Sequence, residues 1–237
     1  GNNLNTARYN TSARGPQTAA IGFGGYSTGV EDATEEYDGT NWTNGGDLNN
    51  ARTFIGAAGN SSAALGFGGY NSGAKNQVES YDGSSWTNGT AIGTARYSAC
   101  YGGTQTAAII AGGNIYPTNN TVVLSEEWNG SAWSEGNDMI TKRAQMGPAG
   151  NQTDIIAWGG IDPGGPTGYY AITEGYDGTS WSTRPSLSAG RERNTGSGTG
   201  TAGLAMGGSA SGPDINTVEE FTGDTTSLNT AKTIDFD

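Results

Sequence analysis

The chain has 237 residues, 42 of them glycine, with no histidine and one cysteine, and its 23 acidic against 11 basic residues give a net charge of −12. That balance repels nucleic-acid backbones and anionic membranes, and the apolar runs are far too short to span a bilayer. A single cysteine excludes an internal disulfide framework, while the missing histidine removes the commonest general base and metal ligand.

The opening residues GNNLNTARYN carry neither the basic start nor the apolar core of a signal peptide, so no targeting segment is expected in this chain. From residue 6 the sequence falls into five repeats, approximately 6–49, 50–93, 94–140, 141–188 and 189–237. At about 47 residues each, they read as one closed array forming a single domain over 1–237. The first repeat sets the pattern. Arg8 is followed by a turn glycine at Gly15, an apolar run ending in Gly24-Gly25, the loop YSTGVEDA, then Glu35, the aromatic landmark Tyr37, an Asp-Gly step and Trp42.

The second repeat shows the strands most plainly. Segment 52–58 leads to a turn at Gly59-Asn60, and 63–69 forms a second extended run. Residues 77–81 form a third, Asp82-Gly83 a turn, and 85–90, with Trp86, a fourth. Short β-prone runs separated by Gly, Asn and Asp predict a four-stranded antiparallel meander. The Asp-Gly after Tyr37, Tyr81 and Tyr176 predicts a tight hairpin, since glycine accepts the positive φ of a type I′ turn. Nothing sustains a helical period, so the chain is all-β.

The third repeat runs through Arg96, Gly103, Gly112-Gly113, Glu126, Trp128 and Trp133, and the fourth through Arg143, Gly150, Gly159-Gly160, Glu174, Tyr176 and Trp181. Cys100 occupies the place held elsewhere by Ser12, Gly56, Gly147 and Thr195. It reads as a small residue on an inner strand, with no histidine or basic neighbour to activate it. The fifth repeat keeps Arg191, Gly198, Gly207-Gly208, Glu219 and Phe221 but has Thr226 in place of the tryptophan. From each of the first four landmarks to the next doublet is 31 residues, whereas doublet to landmark varies as 13, 13, 16, 17 and 14. One part of the unit is fixed and the other is free to vary.

Fivefold recurrence of Arg8, Arg52, Arg96, Arg143 and Arg191 with Glu35, Glu79, Glu126, Glu174 and Glu219 points to structural Arg-carboxylate pairs, because bidentate pairing suits a partly buried junction. Trp42, Trp86, Trp133 and Trp181, five residues after their landmarks, are placed to fill the widening wedge between neighbouring sheets.

The order Arg, Gly-Gly, Glu-x-Tyr-Asp, Trp resembles the kelch repeat of β-propellers over essentially the whole chain. That resemblance implies a five-bladed propeller of four-stranded blades, with strand order from axis to rim following the sequence. The abundant Asn, Thr and Gly and the phrase TVEEFTG are also similar to kelch-like propellers encoded by marine tailed bacteriophages. The last blade is expected to take its outer strand from the tail 231–237, where Ile234 and Phe236 alternate with polar residues. A strand-exchange closure stands as the alternative, since Leu228-Asn229-Thr230-Ala231-Lys232 echoes Leu4-Asn5-Thr6-Ala7-Arg8.

All length variation falls between the second and third strands, which places it on one rim of the disc, the usual layout of a recognition surface. The candidate contact residues are Tyr26, Tyr70 and Asn71 in the first two loops, Tyr116 in the third, Asp162, Tyr169 and Tyr170 in the fourth and Asp214 in the fifth. Tyrosine joins a stacking face to a polar end, which suits sugar rings and protein contacts. Loop acids such as Asp162 and Asp214 could join carbonyls around a calcium ion, but no acidic loop of EF-hand type occurs, and no cofactor or metal is expected. No singular constellation supports catalysis. The reading is a binding or structural propeller, virion-associated or extracellular, in a tail fibre or decoration, meeting a protein or a surface glycan. A lectin-like glycan binder is the alternative, and a glycan-processing enzyme ranks below both. No nucleic acid and no membrane insertion are expected.

Overall fold

Glycine-punctuated runs of small and apolar residues make short strands, and each strand pairs with its neighbour in sequence. The computed structural model describes residues 2–165, 168–210 and 214–223, and every regular element among them is a β-strand. Blade 1 comprises Ser12–Arg14, Ala20–Phe23, Thr34–Tyr37 and Trp42–Asn44. Blade 2 comprises Gly56–Asn60, Ala63–Phe67, Val78–Tyr81 and Trp86–Asn88. Blade 3 comprises Cys100–Thr104, Ala107–Ala111, Ser125–Trp128 and Trp133–Glu135, and blade 4 comprises Gly147–Asn151, Asp154–Trp158, Thr173–Tyr176 and Trp181–Arg184. Blade 5 shows Thr195–Gly198, Gly203–Met206 and Val218–Phe221 among the described residues. Each sheet is an antiparallel meander in chain order, and the inner strands of successive blades lie side by side. The fold is a five-bladed β-propeller. The tail 231–237 and its echo at 228–232 lie outside the described residues, and with them both modes of closure.

The core is divided among the clefts between blades rather than gathered in one centre. Phe23 of blade 1 packs with Ile55, Tyr81 and Trp86 of blade 2, and Phe67 of blade 2 packs with Ile110 and Trp128 of blade 3. Ile109 of blade 3 meets Ile155, Tyr176 and Trp181 of blade 4, and Trp158 of blade 4 meets Ala205 and Phe221 of blade 5. The tryptophans also bond across these clefts. Trp86 Nε1 donates to Thr34 Oγ1 at 2.9 Å and Trp181 Nε1 to Ser125 Oγ at 3.0 Å, each in the preceding blade. At these two positions indole both fills the wedge and finds an acceptor, whereas Trp133 Nε1 and Trp158 Nε1 are buried without one among the described residues.

The Gly-Gly doublets close the clefts near the axis. The Gly25 N–H donates to the Arg52 carbonyl at 2.9 Å, and Gly69, Gly113 and Gly160 repeat the bond to Arg96, Arg143 and Arg191 at 2.9, 2.9 and 2.7 Å. Both residues of each doublet have positive φ, and a Cβ on Gly24 would lie 2.5 Å from the Arg52 carbonyl oxygen. Only glycine tolerates both demands. Gly207 differs: among the described residues its Cβ would meet nothing nearer than the Ile215 carbonyl at 3.5 Å.

The five arginines pair with the five glutamates within each blade: Arg8–Glu35 at 3.0 Å, Arg52–Glu79 at 2.9 Å, Arg96–Glu126 at 3.1 Å, Arg143–Glu174 at 3.1 Å and Arg191–Glu219 at 2.5 Å, all with buried side chains. The carboxylate also grips the segment entering the blade, as where Glu79 accepts the Asn49 N–H at 2.7 Å. Burial lowers the Arg96 guanidinium to about 10 despite the attraction of Glu126.

The hairpins after Tyr37, Tyr81 and Tyr176 differ from the expected type I′ turn. Tyr37 pairs with Trp42 across a four-residue loop, with positive φ at Gly39 alone. The Asp38 carboxylate accepts the N–H groups of Thr40 and Asn41 at 2.7 and 2.8 Å, and these bonds hold its carboxyl below the usual carboxylate range. The Asx interaction supplies the acceptor that a two-residue turn would take from the ladder, so the loop settles at four residues.

Candidate functional site

The segment that follows each repeated arginine determines what gathers at the axis. One residue after the arginine, the chain bridges to the start of the loop between the second and third strands: Tyr9 with Tyr26, Thr53 with Tyr70, Tyr97 with Asn114, Ala144 with Ile161 and Glu192 with Ser209. The variable loops therefore rise from the same face as the mouth of the axial channel. Their roots are ladders rather than free loops.

On that face the expected tyrosines divide into separate groups. Tyr70 stacks obliquely on Tyr97, with ring centres 5.0 Å apart, and meets Tyr116 edge-on at 6.2 Å; Tyr97 in turn lies 6.1 Å from Phe54. The result is an aromatic strip across the junction of blades 2 and 3, running from the axis to the loop tip. Tyr116 ends it at 51% exposure. Burial raises the Tyr97 phenol above its ordinary range, with Tyr70 adding to the shift, and its hydroxyl donates to Asn119 Oδ1 at 2.9 Å. Tyr26 pairs separately with Tyr9, ring centres 5.3 Å apart, and Tyr9 is 59% exposed.

The remaining candidates are dispersed. Asn71 turns inward and donates through Nδ2 to the Ala51 carbonyl at 2.9 Å. Tyr169 and Tyr170 are half-buried on blade 4, Tyr169 in a short ladder opposite Ile161. Asp214 is exposed and bridges Ser209. Asp162, expected on the surface, is instead buried. It accepts from Thr121 Oγ1 at 2.6 Å and pairs with Lys142 Nζ at 3.3 Å. Burial works against its charged form, but Thr121, Lys142 and the Gly164 N–H together hold it below the usual range. It is a strut between the loops of blades 3 and 4. Among the described residues no three His, Cys, Asp or Glu side chains converge to hold a metal ion, and no helix is long and apolar enough to cross a membrane.

Two residues after each arginine stand Asn10, Phe54, Ser98, Gln145 and Arg193, which ring the mouth. All five have left-handed backbone, with φ of 52, 54, 54, 58 and 55°. Such geometry is uncommon away from glycine and costs energy unless its surroundings enforce it. The enforcement is a chain of main-chain bonds around the axis: Phe54 N–H to the Asn10 carbonyl and Ser98 N–H to that of Phe54, both at 3.4 Å, Gln145 to Ser98 at 2.8 Å and Arg193 to Gln145 at 2.9 Å. A cavity of about 200 Å³ opens here, with walls from all five blades. Sequence reasoning passed over both this ring and Tyr97. The signal was a position holding five different residues two steps from an unvarying arginine.

Neither a family model nor a curated protein matches the chain.

Proposed function

We propose that this propeller is a non-enzymatic recognition module whose loop-bearing face meets a partner protein or a surface glycan, as a tail fibre or decoration component of a tailed-phage particle. The observation carrying this reading is the aromatic strip of Phe54, Tyr97, Tyr70 and Tyr116, which crosses a blade junction and leaves Tyr116 half exposed. Exposed aromatics on a rigid frame bind with little loss of side-chain freedom. The particle assignment rests on the abundant Asn, Thr and Gly and the phrase TVEEFTG, which are similar to kelch-like propellers encoded by tailed bacteriophages. A non-catalytic role agrees with the absence of histidine from the sequence.

The test is a glycan array and a cross-linking screen against particle proteins, each run with the parent chain and with Tyr116→Ala and Tyr70→Ala. Binding that weakens at least about tenfold in both variants, with melting temperature held within a few degrees, supports the reading. Binding untouched by both variants sends the contact elsewhere and overturns it.

A further inference from the structure

The axial channel reverses the charge of the molecule around it. The chain carries 23 acidic residues, yet among the described residues the walls of the mouth cavity and of a second cavity of about 330 Å³ on the inner strands of blades 1, 4 and 5 contain no carboxylate and two arginines, Arg193 and Arg14. Arg14 is committed to the scaffold, donating to the Ala57 and Tyr101 carbonyls at 3.2 and 2.5 Å and lying over the Tyr101 ring. Arg193 is not. Its Nε donates to Gln145 Oε1 at 2.8 Å and stands 3.6 Å from Glu192, a carboxylate outside the cavity wall. Among the described residues these two contacts both fall on Nε and leave the two terminal nitrogens unengaged.

From these observations we infer that the axial mouth binds a sugar carboxylate, a uronic or sialic acid unit. The carboxylate lies along the free edge of Arg193, and the ring faces Phe54 and the polar side chains of the opposite wall. The planar guanidinium matches a carboxylate with two parallel bonds. Asn10 and Gln145 offer amide donors and acceptors suited to adjacent ring hydroxyls, and Phe54 offers an apolar face for the ring C–H groups. This site shares Phe54 with the aromatic strip of the loop face, whereas Arg193 belongs to the mouth alone, so the carboxylate contact stands whether or not the loop-face reading holds.

Titration calorimetry of the full chain with glucuronate, N-acetylneuraminate, glucose and acetate tests the assignment. The expected result is saturable binding of at least one sugar acid, with glucose and acetate each at least about tenfold weaker. Arg193→Gln abolishes it with the melting temperature unchanged, and Tyr116→Ala leaves it intact. No heat with either sugar acid, equal binding of glucose, or full affinity in Arg193→Gln each overturns the proposal. Acetate binding as tightly as the sugar acids removes the sugar from it, as does binding of an oligoglutamate peptide where both sugar acids fail.

Discussion

Arg96 and Glu126 show what a repeated ion pair does at the scale of one residue. Both side chains are buried and 3.1 Å apart, so neither charge has water to fall back on. Such a pair contributes little net stability compared with an apolar replacement, but losing one partner strands the other. Arg96→Ala is therefore expected to cost about 3–5 kcal/mol, which lowers the melting temperature by roughly 10 °C in a scanning calorimeter. Affinity per folded molecule should be unchanged; lost binding at unchanged stability would make the arginine a contact residue. This pairing was legible in the sequence because an ionic pair recurs only where both members are kept. Asp162 was misread for the opposite reason: a lengthened loop suggests exposure, and nothing local reveals that Thr121 and Lys142, brought in from other segments, bury it.

At the scale of the element, the second strand of each blade ends where the next blade begins. Gly68→Ala would put a methyl group 2.7 Å from the Arg96 carbonyl oxygen at a φ of +65°, whereas Gly207→Ala, at +60°, meets its nearest atom among the described residues at 3.5 Å. The second substitution carries the backbone strain alone, about 1 kcal/mol, and the first adds a steric clash that forces two blades apart. Urea unfolding of the two variants should separate them by more than about 1 kcal/mol. Equal losses would mean that the doublet answers to backbone conformation only. Strand order and doublet spacing were readable because each is a local rule. The four-residue hairpin was not, because Asp-Gly also serves an Asx-capped loop, and the choice between them depends on a side-chain bond to Thr40 and Asn41.

Across the whole molecule, phenols bridge successive blades. The Tyr81 hydroxyl donates to Glu36 of blade 1, and the Tyr176 hydroxyl to Glu127 of blade 3 at 2.5 Å. Burial, reinforced by those carboxylates, raises both phenols well above their ordinary range. The folded state thus holds these protons more tightly than the unfolded chain, whose phenols titrate near about 10. Their contribution is complete below that pH and is lost as pH rises beyond it. Melting temperature should fall as pH rises above about 10, and the double variant Tyr81→Phe/Tyr176→Phe should show a shallower fall. An equally steep fall would assign alkaline sensitivity to general charge repulsion. The mouth ring escaped the sequence for a reason that also belongs to this scale: a site assembled from one residue per blade has no motif, only a column of differences in an otherwise regular text.

The bonds that fasten one blade to the next at the doublets run from main chain to main chain, Gly25 N–H to Arg52 carbonyl and its three counterparts. A joint of that kind does not depend on which side chains the neighbour carries. What must still match between neighbours is carried by side chains, Trp86 on Thr34 and Tyr81 on Glu36 among them, so a transplanted repeat keeps the frame only where it keeps those partners, and it brings one mouth residue and one rim loop with it.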